Sequence, residues 1–203
     1  MKTISACILL ALLPCEAARA DLIPIVLDNS NENAAIDGVQ SGSIVRQGLT
    51  ITLTANVGKL NATQDSYGVD ADGSNDLSAL LDAGSGTIEE ISFSFDQSVI
   101  FTQLTLELYS IDDANPESAS LTIGLNPTLL LPPTRAGKDV YDFTSANFLP
   151  AGQSAIVRYV SGNGFSLEGI QVNTVPEPTT FTLSALAMAG LMLRRRRRRS
   201  LTE

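Results

Sequence analysis

An all-β fold, an antiparallel β-sandwich of jelly-roll type, is what the middle of this 203-residue chain predicts. Three observations carry that expectation: apolar residues recur at every second position, Gly, Asn, Asp and Pro interrupt the pattern at short intervals, and only one short stretch breaks the alternation in a helical way. Period-two alternation marks a strand with one buried face, and several such strands need a second sheet to bury against.

Four strands are clear. Leu49, Ile51, Leu53 and Ala55 alternate with Thr50, Thr52 and Thr54, and Ile91, Phe93 and Phe95 alternate with Ser92 and Ser94. Leu104, Leu106 and Leu108 then stand against Thr105, Glu107 and Tyr109, and Leu121, Ile123 and Leu125 against Thr122 and Gly124. Weaker patterns predict strands at Leu22 to Leu27, Ser43 to Arg46, Val140 to Phe143, Ala155 to Val160 and Phe165 to Val172. Ser161-Gly162-Asn163-Gly164 predicts a tight hairpin between the last two, because glycine takes positive φ without steric cost. The one helix expected is short, over Asn75 to Asp82.

The chain divides into residues 1–20, 21–174 and 175–203. Lys2, the apolar run Ile4 to Leu13 and the small residues Ala18 and Ala20 predict a signal peptide cut by signal peptidase after Ala20. A buried first helix is the competing reading, and the run lacks the polar face such a helix needs. A lipoprotein signal ending at Cys15 is another, and Pro14 stands where that signal has a small residue. Cys7 and Cys15 are the chain's two cysteines, so the expected mature protein has neither thiol nor disulfide, and the chain has no histidine. Ser-His-Asp and Cys-His catalysis are thereby excluded, as are zinc sites built from nitrogen and sulfur ligands.

Between Asp21 and Thr174, nineteen Asp and Glu face Arg46, Lys59, Arg135, Lys138 and Arg158, which leaves a net charge of −14. Nucleic acid is not expected as a partner, since binding it depends on neutralising phosphates. The balance suits solubility, cation binding or a matrix role.

Three groups of residues are candidates for chemistry. Asp70, Asp72, Asn75 and Asp76 are hard oxygen donors close enough in sequence to wrap one calcium ion. Asn75 stands where the helix-loop-helix calcium pattern has its turn glycine and no bidentate Glu follows, so a solvated acidic loop is the favoured alternative. Glu89 and Glu90 point to opposite faces if they lie in a strand and so cannot flank one glycosidic bond, whereas Glu107 and Glu168 lie on separate strands. A secreted carbohydrate-active enzyme needs two such carboxylates to converge. Tyr67, Tyr109, Tyr141 and Tyr159 are the available sugar platforms, with Tyr109 and Tyr159 on the polar side of their strands, and they make a calcium-dependent glycan-binding module a further alternative.

The tail poses a separate question. Val175-Pro176-Glu177-Pro178 is followed by the apolar Thr179 to Leu193 and then by Arg194, Arg195, Arg196, Arg197, Arg198 and Arg199. These fifteen residues make a helix of about 22 Å against a hydrocarbon core of about 30 Å, which arginine stems and local bilayer thinning complete. The arginines hold the cytoplasmic side of the membrane and leave the acidic domain outside. The two prolines keep an extended strip between domain and membrane. These three parts, in this order, resemble the PEP-CTERM sorting signal of Gram-negative bacteria. The resemblance implies processing near Pro-Glu-Pro by an exosortase, a membrane transpeptidase-like enzyme, followed by release or transfer of the ectodomain to the cell surface or matrix. It also implies association with exopolysaccharide. The protein is on this reading non-enzymatic and has no cofactor, calcium aside.

Overall fold

The computed structural model describes residues 22–28, 34–63, 66–71, 79–84, 86–109, 114–145 and 147–175. Both the signal segment and the tail beyond Val175 lie outside them. Within them the chain forms thirteen strands and no helix.

The first sheet is antiparallel and runs β10 (Gly137–Asp142), β7 (Val99–Tyr109), β13 (Ser166–Thr174), β5 (Tyr67–Asp70), β4 (Lys59–Ala62). β1 (Leu22–Val26) joins it along β13, and β11 (Phe148–Leu149) along β7. The second sheet runs β2 (Ser41–Arg46), β3 (Leu49–Ala55), β6 (Glu90–Phe95), β12 (Ser154–Ser161), β8 (Ser118–Ile123), β9 (Leu129–Leu131). β2 and β3 are joined by Gln47 and Gly48, both at positive φ (50° and 80°), the backbone a two-residue hairpin demands.

Alternation places the core. Ile51, Leu53 and Ala55 of β3, Ile91, Phe93 and Phe95 of β6, and Ala155 and Val157 of β12 are buried from one sheet. Val99, Phe101, Leu104 and Leu106 of β7, with Leu167, Ile170 and Val172 of β13, are buried from the other, and all belong to one hydrophobic cluster. Burying such a side chain is worth about 1.5–3 kcal/mol before chain entropy is charged against it, so the sandwich needs no disulfide.

Several expectations are corrected. Ser161 to Gly164 is not a hairpin: β12 pairs with β6 and β8, whereas β13 pairs with β7 on one edge and with β1 and β5 on the other. With both edges of each strand taken, the turn carries the chain from one sheet to the other. Gly162 (φ +110°) passes so close to Glu117 that a Cβ there would lie 2.6 Å from its Cα.

The helix expected over Asn75 to Asp82 is absent where the chain is described. Residues 79–82 run extended, with Leu81 bridging Phe165 and the Leu80 carbonyl accepting from the Val69 N–H at 2.8 Å. Tertiary pairing has overridden a local helical pattern. Leu125 is 94% exposed, because β8 ends at Ile123 and Gly124 (φ +56°) turns the chain.

The alternation in β7 also fails at its end. Leu108 has φ +57° and is 54% exposed, and Tyr109 takes the inward place in its stead, fully buried. One left-handed residue advances the strand's phase by one and turns every later side chain to the other face.

Candidate functional site

The segment that resembles a sorting signal begins where the last strand ends. Thr174 still registers with Val99, and the Val175 N–H donates to the Ser98 carbonyl at 2.9 Å. The entry to the motif is therefore tied to the start of β7, an interior strand of the first sheet. Pro176, Glu177, Pro178, Arg194 to Arg199, and the cleavage residues Ala18 and Ala20 lie outside the described residues.

Of the four expected calcium ligands, Asp70 closes β5 in register with Lys59 of β4. Asp72, Asn75 and Asp76 lie outside the described residues. Among the described residues, no group of three or more His, Cys, Asp or Glu is placed to hold a metal ion.

Beside Ala71 and Asp82 stands Glu89, 3% exposed. Its carboxylate accepts the Asp82 N–H at 2.8 Å and also the Ala71 N–H, so a single side chain clasps both ends of the segment between residues 71 and 82. Burial is the largest influence on its pKa and raises it, disfavouring the charged form. The N–H donors act the other way, the charges of Asp82 and Asp70 reinforce burial, and the carboxyl is raised to about 7. Glu90 faces outward, 3.9 Å from Arg158. The two adjacent acids thus diverge, as strand geometry requires.

Glu107 and Glu168 occupy neighbouring strands. Glu107 registers with Ser166 across β7 and β13 and with Lys138 across β7 and β10, and Glu168 sits in the bulge between Leu167 and Gly169. Lys138 Nζ ion-pairs with Glu168 Oε1, while Glu168 Oε2 and Ser166 Oγ are buried without a hydrogen-bond partner. The adjoining cleft, bordered by Pro24, Val26, Gln103, Thr105 and Gln171, has a volume of about 80 Å³. That is well below the size of clefts that take small-molecule ligands.

The tyrosines are not sugar platforms on the polar faces. Tyr67 and Tyr109 are fully buried, and Tyr159, expected to face outward, shares the inward side of β12 with Ala155 and Val157. Tyr141, Tyr109, Phe165 and Tyr159 form a continuous aromatic run: Tyr109 meets Tyr141 and Phe165 edge-on at 6.3 and 5.3 Å, and Tyr159 stacks on Phe165 at 6.5 Å. Burial raises the pKa of all four tyrosine hydroxyls. Tyr141 donates to the Pro132 carbonyl and Tyr159 to the Gly162 carbonyl, both at 2.7 Å.

The sequence reading missed a surface rather than a pocket. On the outer face of the second sheet Ser41, Ser43, Thr52, Thr54, Ser92, Ser94 and Thr122 are exposed or half-buried, and Ser41–Thr54, Ser43–Thr52 and Thr122–Thr128 pair hydroxyl to hydroxyl at 2.7, 2.7 and 2.8 Å. The signal was present as Thr-x-Thr-x-Thr at Thr50 to Thr54 and Ser-x-Ser at Ser92 to Ser94.

Residues 174–198 match the family model described as the PEP-CTERM protein-sorting motif. Among curated proteins and among solved structures, none matches the chain. The motif accounts for the order of proline strip, apolar run and arginines, and it follows directly on the strand that ties the sandwich to it. The chain thus carries a PEP-CTERM sorting motif, which indicates an exported protein targeted to an exosortase.

Proposed function

We propose that the sandwich is a non-enzymatic cargo of the cell surface or extracellular matrix, and that the flanking segments exist to deliver it. The signal peptide over residues 1–20 starts export, Thr179 to Leu193 holds the protein in the inner membrane, and Arg194 to Arg199 stay on the cytoplasmic side. An exosortase then cuts near Pro176 to Pro178, and the freed domain associates with exopolysaccharide. Among the described residues no helix is long and apolar enough to cross a membrane, and the anchor in this reading is the apolar run beyond them.

One observation carries the reading: the matched motif starts at Thr174, the last residue of β13. The last strand thus ends where the motif begins in sequence, so in this reading the exosortase acts at the border of the domain and cuts no strand of it. The non-enzymatic part rests on the acids. Glu89 is clasped by backbone N–H groups, Glu90 and Glu168 are ion-paired, and Asp139 is buried against Thr134, so none of these is offered with a second carboxylate toward a shared opening.

Intact mass spectrometry of the mature protein from a host with the sorting enzyme tests the reading. The expected product ends between Val175 and Pro178. A mature chain that still ends at Glu203 overturns it.

A further inference from the structure

We infer that the outer face of the second sheet is a docking surface for a neutral polysaccharide chain, which lies across β2, β3, β6 and β12 on two rows of hydroxyls. Directly paired residues of antiparallel strands present their side chains on the same face, so the register defines the rows. One row is Ser43, Thr52, Ser94 and Ser154; the other is Ser41, Thr54, Ser92 and Ile156, continued by Thr122 of β8. The residues between them, Leu53, Phe93 and Ala155, are buried, which fixes the hydroxyls outward.

The chemistry of the rows selects the occupant. In the Ser43–Thr52 pair one hydroxyl donates to the other, which leaves one O–H and spare lone pairs for whatever lies above, and the Ser41–Thr54 pair, whose Ser41 also lies 3.3 Å from the Leu53 carbonyl, still offers lone pairs. A sugar hydroxyl is likewise donor and acceptor. Strands lie about 4.8 Å apart, so the hydroxyls repeat across the sheet at a spacing close to one sugar ring. Their positions are held by the strands before any ligand arrives, which lowers the entropy lost on binding.

Charge excludes the other polymer class. Neither row contains an ionisable group, and the nearest charges, Glu90 with Arg158 on one side and Asp96 on the other, are already engaged: Glu90 with Arg158 at 3.9 Å, and Asp96 with the Thr50 N–H at 2.9 Å. The outer face of the first sheet differs, with Glu107, Lys138, Asp142 and Glu168 upon it. A domain with a net charge of −14 repels a polyanion, and a neutral polymer escapes that repulsion. With no Trp in the chain and the tyrosines on the core side, stacking is not available, so each sugar is held weakly and tight retention needs many at once.

An array of threonines also suits the surface of ice. Neighbouring strands, however, are rotated by roughly 20–25° in a twisted sheet, so four of them turn the rows through an angle that a crystal plane cannot follow. A flexible polymer follows it readily.

This inference rests on the proposed polysaccharide association and deepens it by naming the surface and the polymer class. The test is affinity electrophoresis of the full chain in detergent, in gels containing hydroxyethyl cellulose (neutral) or carboxymethyl cellulose (anionic). The expected result is retardation by the neutral polymer alone, weakened at least tenfold in Thr52→Val with Ser94→Ala, restored in Thr52→Ser with Ser94 intact, and unchanged in Gln103→Ala on the other sheet. Thr52→Val keeps shape and strand propensity while removing the hydroxyl, so loss of folding does not mimic the effect. Equal retardation of wild type and the hydroxyl variants overturns this surface and leaves the association standing. Absence of retardation by either polymer overturns the surface, and the association falls separately if the host's own exopolysaccharide also fails to retain the chain. Inhibition of ice growth that Thr52→Val abolishes, without retardation by the neutral polymer, assigns the face to ice and overturns the proposal.

Discussion

Tyr109 of the first sheet donates its hydroxyl to the carbonyl of Leu131 in the second. The same oxygen accepts the Ala119 N–H, and Ala119 and Leu131 are register partners across β8 and β9, so one phenol bridges that strand pair from the opposite sheet. Removing the hydroxyl leaves a buried carbonyl and a buried N–H without their partner, at a cost of about 1–3 kcal/mol. Tyr109→Phe should therefore lower unfolding stability by that amount in urea titration, with the aromatic run otherwise intact. A change below about 0.3 kcal/mol would show that the bridge is energetically empty.

Tyr109 also marks the limit of what could be read in the sequence. The alternation in β3 and β6 identified the inward residues because the two strands pair with each other in the same phase along most of their length, whereas in β12 Tyr159 was assigned to the wrong face. In β7 nothing in Leu104 to Tyr109 announces a left-handed Leu108, since that conformation is imposed where the strand must hand Tyr109 across the sandwich. The short strands β4, β5, β9 and β11 carry two to four residues each, too few for a period to register. The turn at Ser161 to Gly164 was recognised as a turn. Which sheet it led to depends on strand edges hundreds of atoms away, and glycine spacing holds no record of them. The sorting motif was legible because its function resides in linear order, whereas the hydroxyl rows exist only after four strands from distant parts of the chain come into register.

Glu89 sets a pH dependence of stability. Its folded-state pKa of about 7 lies above the ordinary carboxyl value of 4.5, so between those values the folded chain holds more protons than the unfolded one. Stability from this group is greatest below pH 4.5 and declines as pH rises through 7, by up to about 3 kcal/mol in total. In Glu89→Gln that decline should disappear, which urea titrations at pH 5 and pH 8 would reveal as a smaller difference than in wild type. An unchanged difference would place the pH response elsewhere.

Gly68 lets β5 approach the segment that replaces the expected helix. A Cβ at this position would lie 2.3 Å from the backbone of Ala79 and Leu80, both fixed by the bond from the Val69 N–H to the Leu80 carbonyl. Neither backbone can yield as a flexible side chain would. Gly68→Ala should cost about 1–3 kcal/mol, the range for overpacking, and should speed hydrogen exchange at Val69 and Leu81 more than at Phe93. Uniform exchange across all three sites would instead indicate a purely global effect.

The tail separates three physical properties, and each can be removed alone. Proline disrupts regular structure at residues 176 and 178, the apolar run inserts, and the arginines orient. Pro176, Glu177 and Pro178 changed together to alanine should leave insertion intact, because alanine is compatible with a membrane helix, yet block processing, because the strip the exosortase meets is gone. The unprocessed chain should then accumulate in the inner-membrane fraction. Arg194 to Arg199 changed to serine should act differently: it removes the charges that hold the cytoplasmic side, so the tail should become accessible to protease added from outside while the cleavage strip stays intact. Fractionation with intact mass spectrometry reads the first variant and protease accessibility the second. Because Val175 is tied to Ser98 by a backbone bond, neither variant should alter the urea midpoint of the sandwich. If the two variants gave the same fraction, mass and accessibility, the proline strip and the arginines would be one element and not two, and the division of labour argued for the tail would fail.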